Sequence, residues 1–144
     1  VLSKFDTSAS QEEWLLELDA SDRPRFALYD DSASARIGRL DATALTENVW
    51  ALLTATYDGS GASTGIRLYL DAARADDTSD DSGAYVAMEN GTEVVALGYR
   101  QAAGVKENLF DGRVAMAGIV GKELGIDEIW ALKVAVNGYF GLNL

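Results

Sequence analysis

Glu17, Asp19 and Asp22, in the stretch Glu17-Leu18-Asp19-Ala20-Ser21-Asp22, are the first residues whose types and spacing could do chemistry. Side chains alternate along a strand, so Glu17 and Asp19 share a face, and two carboxyl groups flanking one bond are what glycoside hydrolysis uses. The third position weakens that case, because Asp22 already lies in a turn. A solvent-facing strand flank explains all three acids as well, and the chain reads as non-enzymatic. No other hydrolytic constellation is visible: the 144 residues include no His and no Cys. That removes imidazole bases, thiol nucleophiles, disulfides and every zinc or iron site that needs those ligands.

Any metal here would be hard and oxygen-bound. The segment Asp71 to Glu93 carries seven acids against Arg74 alone, which is -6 of the chain's net charge of -11. Clustered carboxylates on a loop suit calcium, which takes six to eight oxygen ligands. Asp76, Asp77, Asp80 and Asp81 are the candidate ligands, and calcium is the one cofactor the sequence raises. The run DDTSDD lacks the ligand order of an EF-hand loop, and a solvated acidic loop is the competing reading. A third candidate chemistry is sugar stacking on exposed aromatics, for which Tyr29, Tyr69, Tyr85 and Tyr99 are available. Trp14, Trp50 and Trp130 stand in apolar registers and read as core.

The acidic balance, with a pI near 4.3, argues against nucleic acid as a partner, since that affinity is built on Lys and Arg. No apolar run approaches the roughly 20 residues of a membrane span, and Val1 to Phe5 is not a signal peptide. The absence of an initiator Met suggests a piece of something longer. A single domain over 1–144 is expected, large enough for its own core.

Those side chains must be positioned by strands. Val1 to Phe5 reads as a short strand. Glu13 to Ala20 alternates, with Trp14, Leu16 and Leu18 as its core face, and Arg25 to Tyr29 follows behind Pro24, the chain's one proline. Arg36 to Leu40 is a weaker strand. Val49 to Asp58 and Ile66 to Asp71 form a hairpin across a Gly/Ser loop. Ala72 to Asn90 reads as loop, Glu93 to Arg100 as strand, and Gly112 to Gly121 as the last long strand. One helix closes the chain, with Ile126, Ile129, Trp130, Lys133, Val134 and Asn137 at helical spacing and Gly138 as its terminator. The apolar tail Tyr139 to Leu144 is expected to lie against the sheet or a neighbouring chain.

Five pieces in order give this pattern a family likeness: SKFD…EEWLLEL at Ser3 to Leu18, VWALLTATYDGS at Val49 to Ser60, GIRLYLD at Gly65 to Asp71, FDGRVAMAGIVGKEL at Phe110 to Leu124, and the IDEIWAL helix. Together they resemble the concanavalin A-like lectin/glucanase superfamily, in its laminin-G-like and pentraxin-like branch. The resemblance implies an all-β fold: a two-sheet antiparallel jelly-roll sandwich with one short C-terminal helix, often binding glycans on its concave face and rim, frequently with calcium. It also implies the kind of domain found on bacteriophage capsid and tail proteins. Glucanases of this fold are similar in a Glu-x-Asp-x-x-Glu strand motif, from which Asp22 departs by one methylene. Two further departures are Asp71-Ala72-Ala73 where Asp-Gly is common, and the lack of the one or two strands that usually precede the SKFD-like segment, which leaves an open edge that another chain could fill.

The sequence is therefore read as a non-enzymatic virion surface module, a capsid decoration or tail-associated protein that can also recognise host glycans. Its expected partners are a viral shell or tail protein, further copies of itself, or a cell-surface glycan, at a virion-surface or extracellular location, with no nucleic acid and no membrane. The alternatives are a carbohydrate-binding domain of a secreted bacterial protein and a degenerate glucanase.

Overall fold

The computed structural model describes residues 2–8 and 10–144. Val1, where the first strand was expected to begin, lies outside them. The alternating runs at the N-terminal end become β1 (Leu2–Asp6), β2 (Gln11–Leu18), β3 (Pro24–Asp30) and β4 (Ala35–Leu40), and Pro24 opens its strand, where a missing N–H is tolerated. The hairpin forms as β5 (Leu53–Tyr57) and β6 (Ile66–Leu70), with a single 3-10 turn at Ser63–Gly65 between them. Two-residue strands β7 (Ala73–Arg74) and β8 (Thr78–Ser79) follow, then β9 (Val95–Leu97), β10 (Arg100–Ala102), β11 (Val105–Glu107) and helix α1 (Ile126–Phe140).

Two sheets result. The larger runs β11-β10-β1-β2-β3-β4-β8, with β9 also pairing β1, and the smaller runs β5-β6-β7. Pairing is antiparallel except where Asp6 of β1 meets Gln101 of β10. Register sorts the long sheet into two faces: Trp14, Leu28 and Ile37 stand side by side on one, and Leu15, Ala27 and Gly38 on the other. The first face meets the small sheet, where Leu28, Ile37 and Ile66 make a buried cluster against Trp14, Phe26, Tyr57 and Tyr85. The opposite face is also covered, since Leu15 and Ala27 are fully buried. Charged and aromatic side chains, Glu17, Arg25, Tyr29 and Arg36, share this face with them. Trp14 does pack against the core of Leu28, Ile37 and Ile66, but the expected core face Trp14, Leu16 and Leu18 is only half-buried, whereas Glu13, Leu15 and Glu17 on the other face of β2 are buried.

On the small sheet's outer side, Ile129 of α1 packs on Tyr69 and Ala72 with Leu124 alongside. The Gly125 N–H donates to Glu128 Oε2 at 3.0 Å, securing the start of α1. The helix runs past Gly138 to Phe140, and Gly141, at φ 65°, takes the left-handed capping role expected of Gly138.

Four expectations change. The strand expected over Glu93 to Arg100 is split into β9 and β10 by Gly98, whose φ of 86° turns the chain. The hairpin's first strand begins only at Leu53, leaving Val49 and Trp50 exposed. Residues 112–121 form no strand and are exposed throughout: their pattern is strand-like, yet no edge is paired with them. Trp130, 51% exposed, turns away from Ile129, so neither it nor Trp50 is core, and Tyr139 in the tail is 84% exposed.

This distribution of burial sets the stability response. Leu68→Ala, at a fully buried position, is expected to cost about 2–5 kcal/mol, whereas Val114→Ser in the exposed segment should stay within about 0.5 kcal/mol of the parent chain. Urea unfolding of the two variants checks the contrast.

Candidate functional site

The charged face of the long sheet holds the site. Cross-strand register places Glu17 opposite Arg25 and Tyr29 opposite Arg36, so the four side chains emerge from three adjacent strands on the same side. Asp80 reaches over them from the segment after β8, which is tied to the sheet edge by the Asp80 N–H donating to Gly38 O and by an Arg36–Ser82 bridge. Its carboxylate is shared between two guanidinium groups: Arg25 Nη2 lies 2.6 Å from Oδ2, and Arg36 Nη2 lies 2.8 Å from Oδ1. Arg25 also meets Glu17 Oε1 at 2.9 Å and donates to the Tyr29 hydroxyl at 3.2 Å. Burial tends to raise the Asp80 pKa, but the hydrogen bond from Arg36 and the charges of both arginines outweigh it and leave it below the usual value.

Beside this network lies an open cleft of about 180 Å³, lined by Glu12, Tyr29, Asp31, Ser34, Arg36 and Ser82 among others. A second, of about 280 Å³, lies on the other side of Arg36 and is bounded by Asp19, Arg23, Arg25 and Asp80. Arg36 is thus a common wall. Its Nε and Nη2 are engaged by Asp80, which fixes the plane of the guanidinium. Burial and the nearby charge of Asp31 raise the Glu12 pKa against the opposing pull of Arg100 and Arg36. Burial likewise raises the Tyr29 phenol above its ordinary value, so it stays protonated and able to donate. A guanidinium edge, a phenolic hydroxyl, two serines and the acids Glu12, Asp30 and Asp31 suit a ligand rich in hydroxyl groups.

The cleft's far wall is held by Asp30. Its Oδ2 accepts from the Val86 and Ala87 N–H groups at 2.8 and 3.2 Å, and its Oδ1 from Ala33 N–H and Ser32 Oγ. Led by the Val86 bond, these donors depress its pKa to about 2. Glu89 adds a second clamp by accepting from the Asp31 and Ser32 N–H groups.

The structure does not bring the four calcium candidates together. Asp76 pairs with Arg74, Asp77 accepts from the Ala42 N–H, Asp80 lies between Arg25 and Arg36, and Asp81 accepts from the Gly38 N–H and from Ser63 Oγ at 2.6 Å. The cause is strand alternation: the segment continues along the edge of β4, so neighbours Asp80 and Asp81 are sent to different partners. Among the described residues no group of three or more acids is placed to hold a metal ion. The carboxylates of the Glu17 motif are also separately occupied. Glu17 is buried against Arg25, and Asp19 Oδ2 accepts from both Nε and Nη2 of Arg23, hydrogen bonds that are the main cause of its pKa falling to about 2.

Of the aromatic candidates, Tyr29 lines the cleft. Tyr69 is buried under α1, Tyr85 is packed on the core with burial pushing its pKa up to about 12, and Tyr99 lies beneath Lys106. Sequence reasoning missed Glu12, Arg25 and Arg36. Their signal was present in the alternation, as charged residues inside strands whose neighbours are apolar.

A two-sheet antiparallel sandwich with one C-terminal helix and a polar cleft on an outer face defines the class. A model of the concanavalin A-like lectin/glucanases superfamily, in its laminin-G type, matches residues 2–130, and the chain belongs to this superfamily. Membership points to a carbohydrate-binding or adhesion-type module. No curated protein and no solved structure matches the chain.

Two outcomes follow from this geometry. Because each candidate aspartate already has its own partner, millimolar calcium should leave the melting temperature where EDTA leaves it; a calcium-dependent rise in a thermal scan would contradict the geometry. Asp19 and Asp30 ionise near 2 instead of 3.8, so the stability they contribute is present above pH 3.8 and is lost as pH falls through about 2. Asp30→Asn should lower the melting temperature at pH 7 and lose less between pH 4 and 2 than the parent does, as acid titration followed by circular dichroism will show.

Proposed function

We propose that the protein is a non-enzymatic surface-adhesion module whose charged face receives a glycan. The observation that carries this reading is the open cleft in which Arg36, Tyr29, Glu12 and Ser82 converge beside a guanidinium already fixed by Asp80. Preformed polar groups on a rigid sheet give hydroxyl ligands orientation without an ordering cost in the protein. A glycan chain can also continue past Arg36 into the second cleft. The non-enzymatic part rests on the state of the motif acids. Asp19, held ionised by Arg23, is a poor proton donor near neutral pH, and Glu17 is buried in its ion pair.

In its sharper form the proposal is a virion module, a capsid decoration or tail-associated protein of a bacteriophage, held to a shell or tail protein and presenting the cleft outward. The large apolar side chains exposed on 109–120 favour contact with protein, a further copy of this chain included. Neither calcium nor any other cofactor is assigned a part.

The test is a glycan array followed by calorimetry with any oligosaccharide retained. Arg36→Ala should weaken binding at least about tenfold, with no release of reducing ends from the bound sugar by the parent protein. Equal binding by Arg36→Ala, or no retained glycan, would refute the site; hydrolysis would refute the non-enzymatic reading.

A further inference from the structure

Residues 111–124 make no backbone hydrogen bond among the described residues: the last before them is the Phe110 N–H to Gly98 O, and the next begin at Gly125. Among the described residues they are held by side chains at their C-terminal end, through Arg67 to Glu123 at 2.5 Å, Lys122 to Glu128 and Leu124 packed beside Ile129. Leu109, Phe110, Val114, Met116, Ile119 and Val120 are all substantially exposed, Leu109 at 71%. So many large apolar side chains exposed along one short segment are unusual on a monomer, and so is a stretch of main chain without a backbone partner. Yet 113–120, RVAMAGIV, has the composition and length of a strand.

The same molecule has an open edge. Among the described residues β5 ends the small sheet and pairs with β6 alone, which leaves its other side as an open edge. Each copy therefore carries one unused strand-like segment and an open edge in the five residues of β5, the longest of its terminal strands, β7, β8 and β11 having only two or three residues each. Charge permits their meeting between copies: 94–121 carries Arg100, Lys106 and Arg113 against Glu107 and Asp111, a net +1 that leaves -12 on the rest of the chain. Contact through this segment keeps the acidic surfaces from being forced together.

We propose that the chain forms a two-fold dimer by reciprocal strand addition, with 113–120 of each copy pairing along the β5 edge of the other. A second copy is the occupant because it supplies both missing halves at once, and the exchange closes, leaving neither β5 edge free. The small sheet packs against the face of the long sheet opposite the cleft, so the dimer leaves the cleft open and its failure would not touch the glycan reading.

Sedimentation velocity of the 144-residue chain at about 10 µM, where a micromolar dimer is half formed or more, should show a species of twice 15.4 kDa. Ala115→Pro with Ala117→Pro removes two donors from a segment that makes no backbone bonds within one chain. It should weaken self-association at least about tenfold while leaving the circular dichroism of the monomer unchanged. Because the chain has no Cys, single variants Thr54→Cys and Ala117→Cys can be mixed and treated with a short bis-maleimide. A cross-linked dimer enriched in the mixture over either variant alone is expected. A monomer at about 100 µM, proline variants that associate as the parent does, or cross-linking only when both cysteines share one chain would overturn the proposal.

Discussion

One carboxylate between two guanidinium groups organises the charged face of this domain. Asp80 touches Arg25 and Arg36 at once, Arg25 continues to Glu17 and Tyr29, and the acidic segment after β8 is thereby fastened across the sheet on which those residues stand. Ion pairs of this kind cannot be counted as net stabilisers, because desolvation offsets much of their Coulomb attraction. What they do well is penalise every alternative arrangement: without Asp80, two partly buried arginines would lose their shared counter-ion. The contact fixes where Arg36 points, and Arg36 is the wall that both clefts share.

The sandwich needs this arrangement because its long sheet is covered on both sides while a second sheet covers only one. Leu28 and Ile37 are buried by Ile66 in the ordinary apolar way. Leu15 and Ala27, on the opposite face, are buried too, and that face carries salt-bridged and aromatic side chains, with Phe5 edge-on against Tyr29 at 5.0 Å and Arg100 over the Phe5 ring. The cleft beside Glu12 lies on this face, so the same polar face that is buried also carries the place proposed for a hydroxyl-rich ligand.

Much of the fold was legible from alternation, since strand faces depend only on a period of two. Trp14 with Leu28, the Val49 to Asp71 hairpin and the C-terminal helix could all be read from that pattern or its helical counterpart. The site was less legible, for a reason visible in Asp80 and Asp81. As sequence they are one acidic cluster; as a strand edge they diverge, one to Arg25 and Arg36 and the other to Gly38 and Ser63, and no local pattern names those distant partners. Trp130 shows the same limit, because an apolar stripe broader than the surface available to it leaves part of itself in water. Residues 113–120 carry the pattern of a strand, but a strand exists only where an edge is paired with it.

The central claim is that the gap around Glu12, Tyr29, Arg36 and Ser82 is where this adhesion-type domain recognises its ligand. The most direct measurement is an NMR titration of the labelled protein with a retained oligosaccharide, following the Arg36 Nε–H and the amides of Glu12, Tyr29 and Ser82. Shifts concentrated on those four residues, with 109–120 unchanged, are the predicted result. Shifts confined to 109–120 or to the β5 edge, with Arg36 unmoved, would contradict the account.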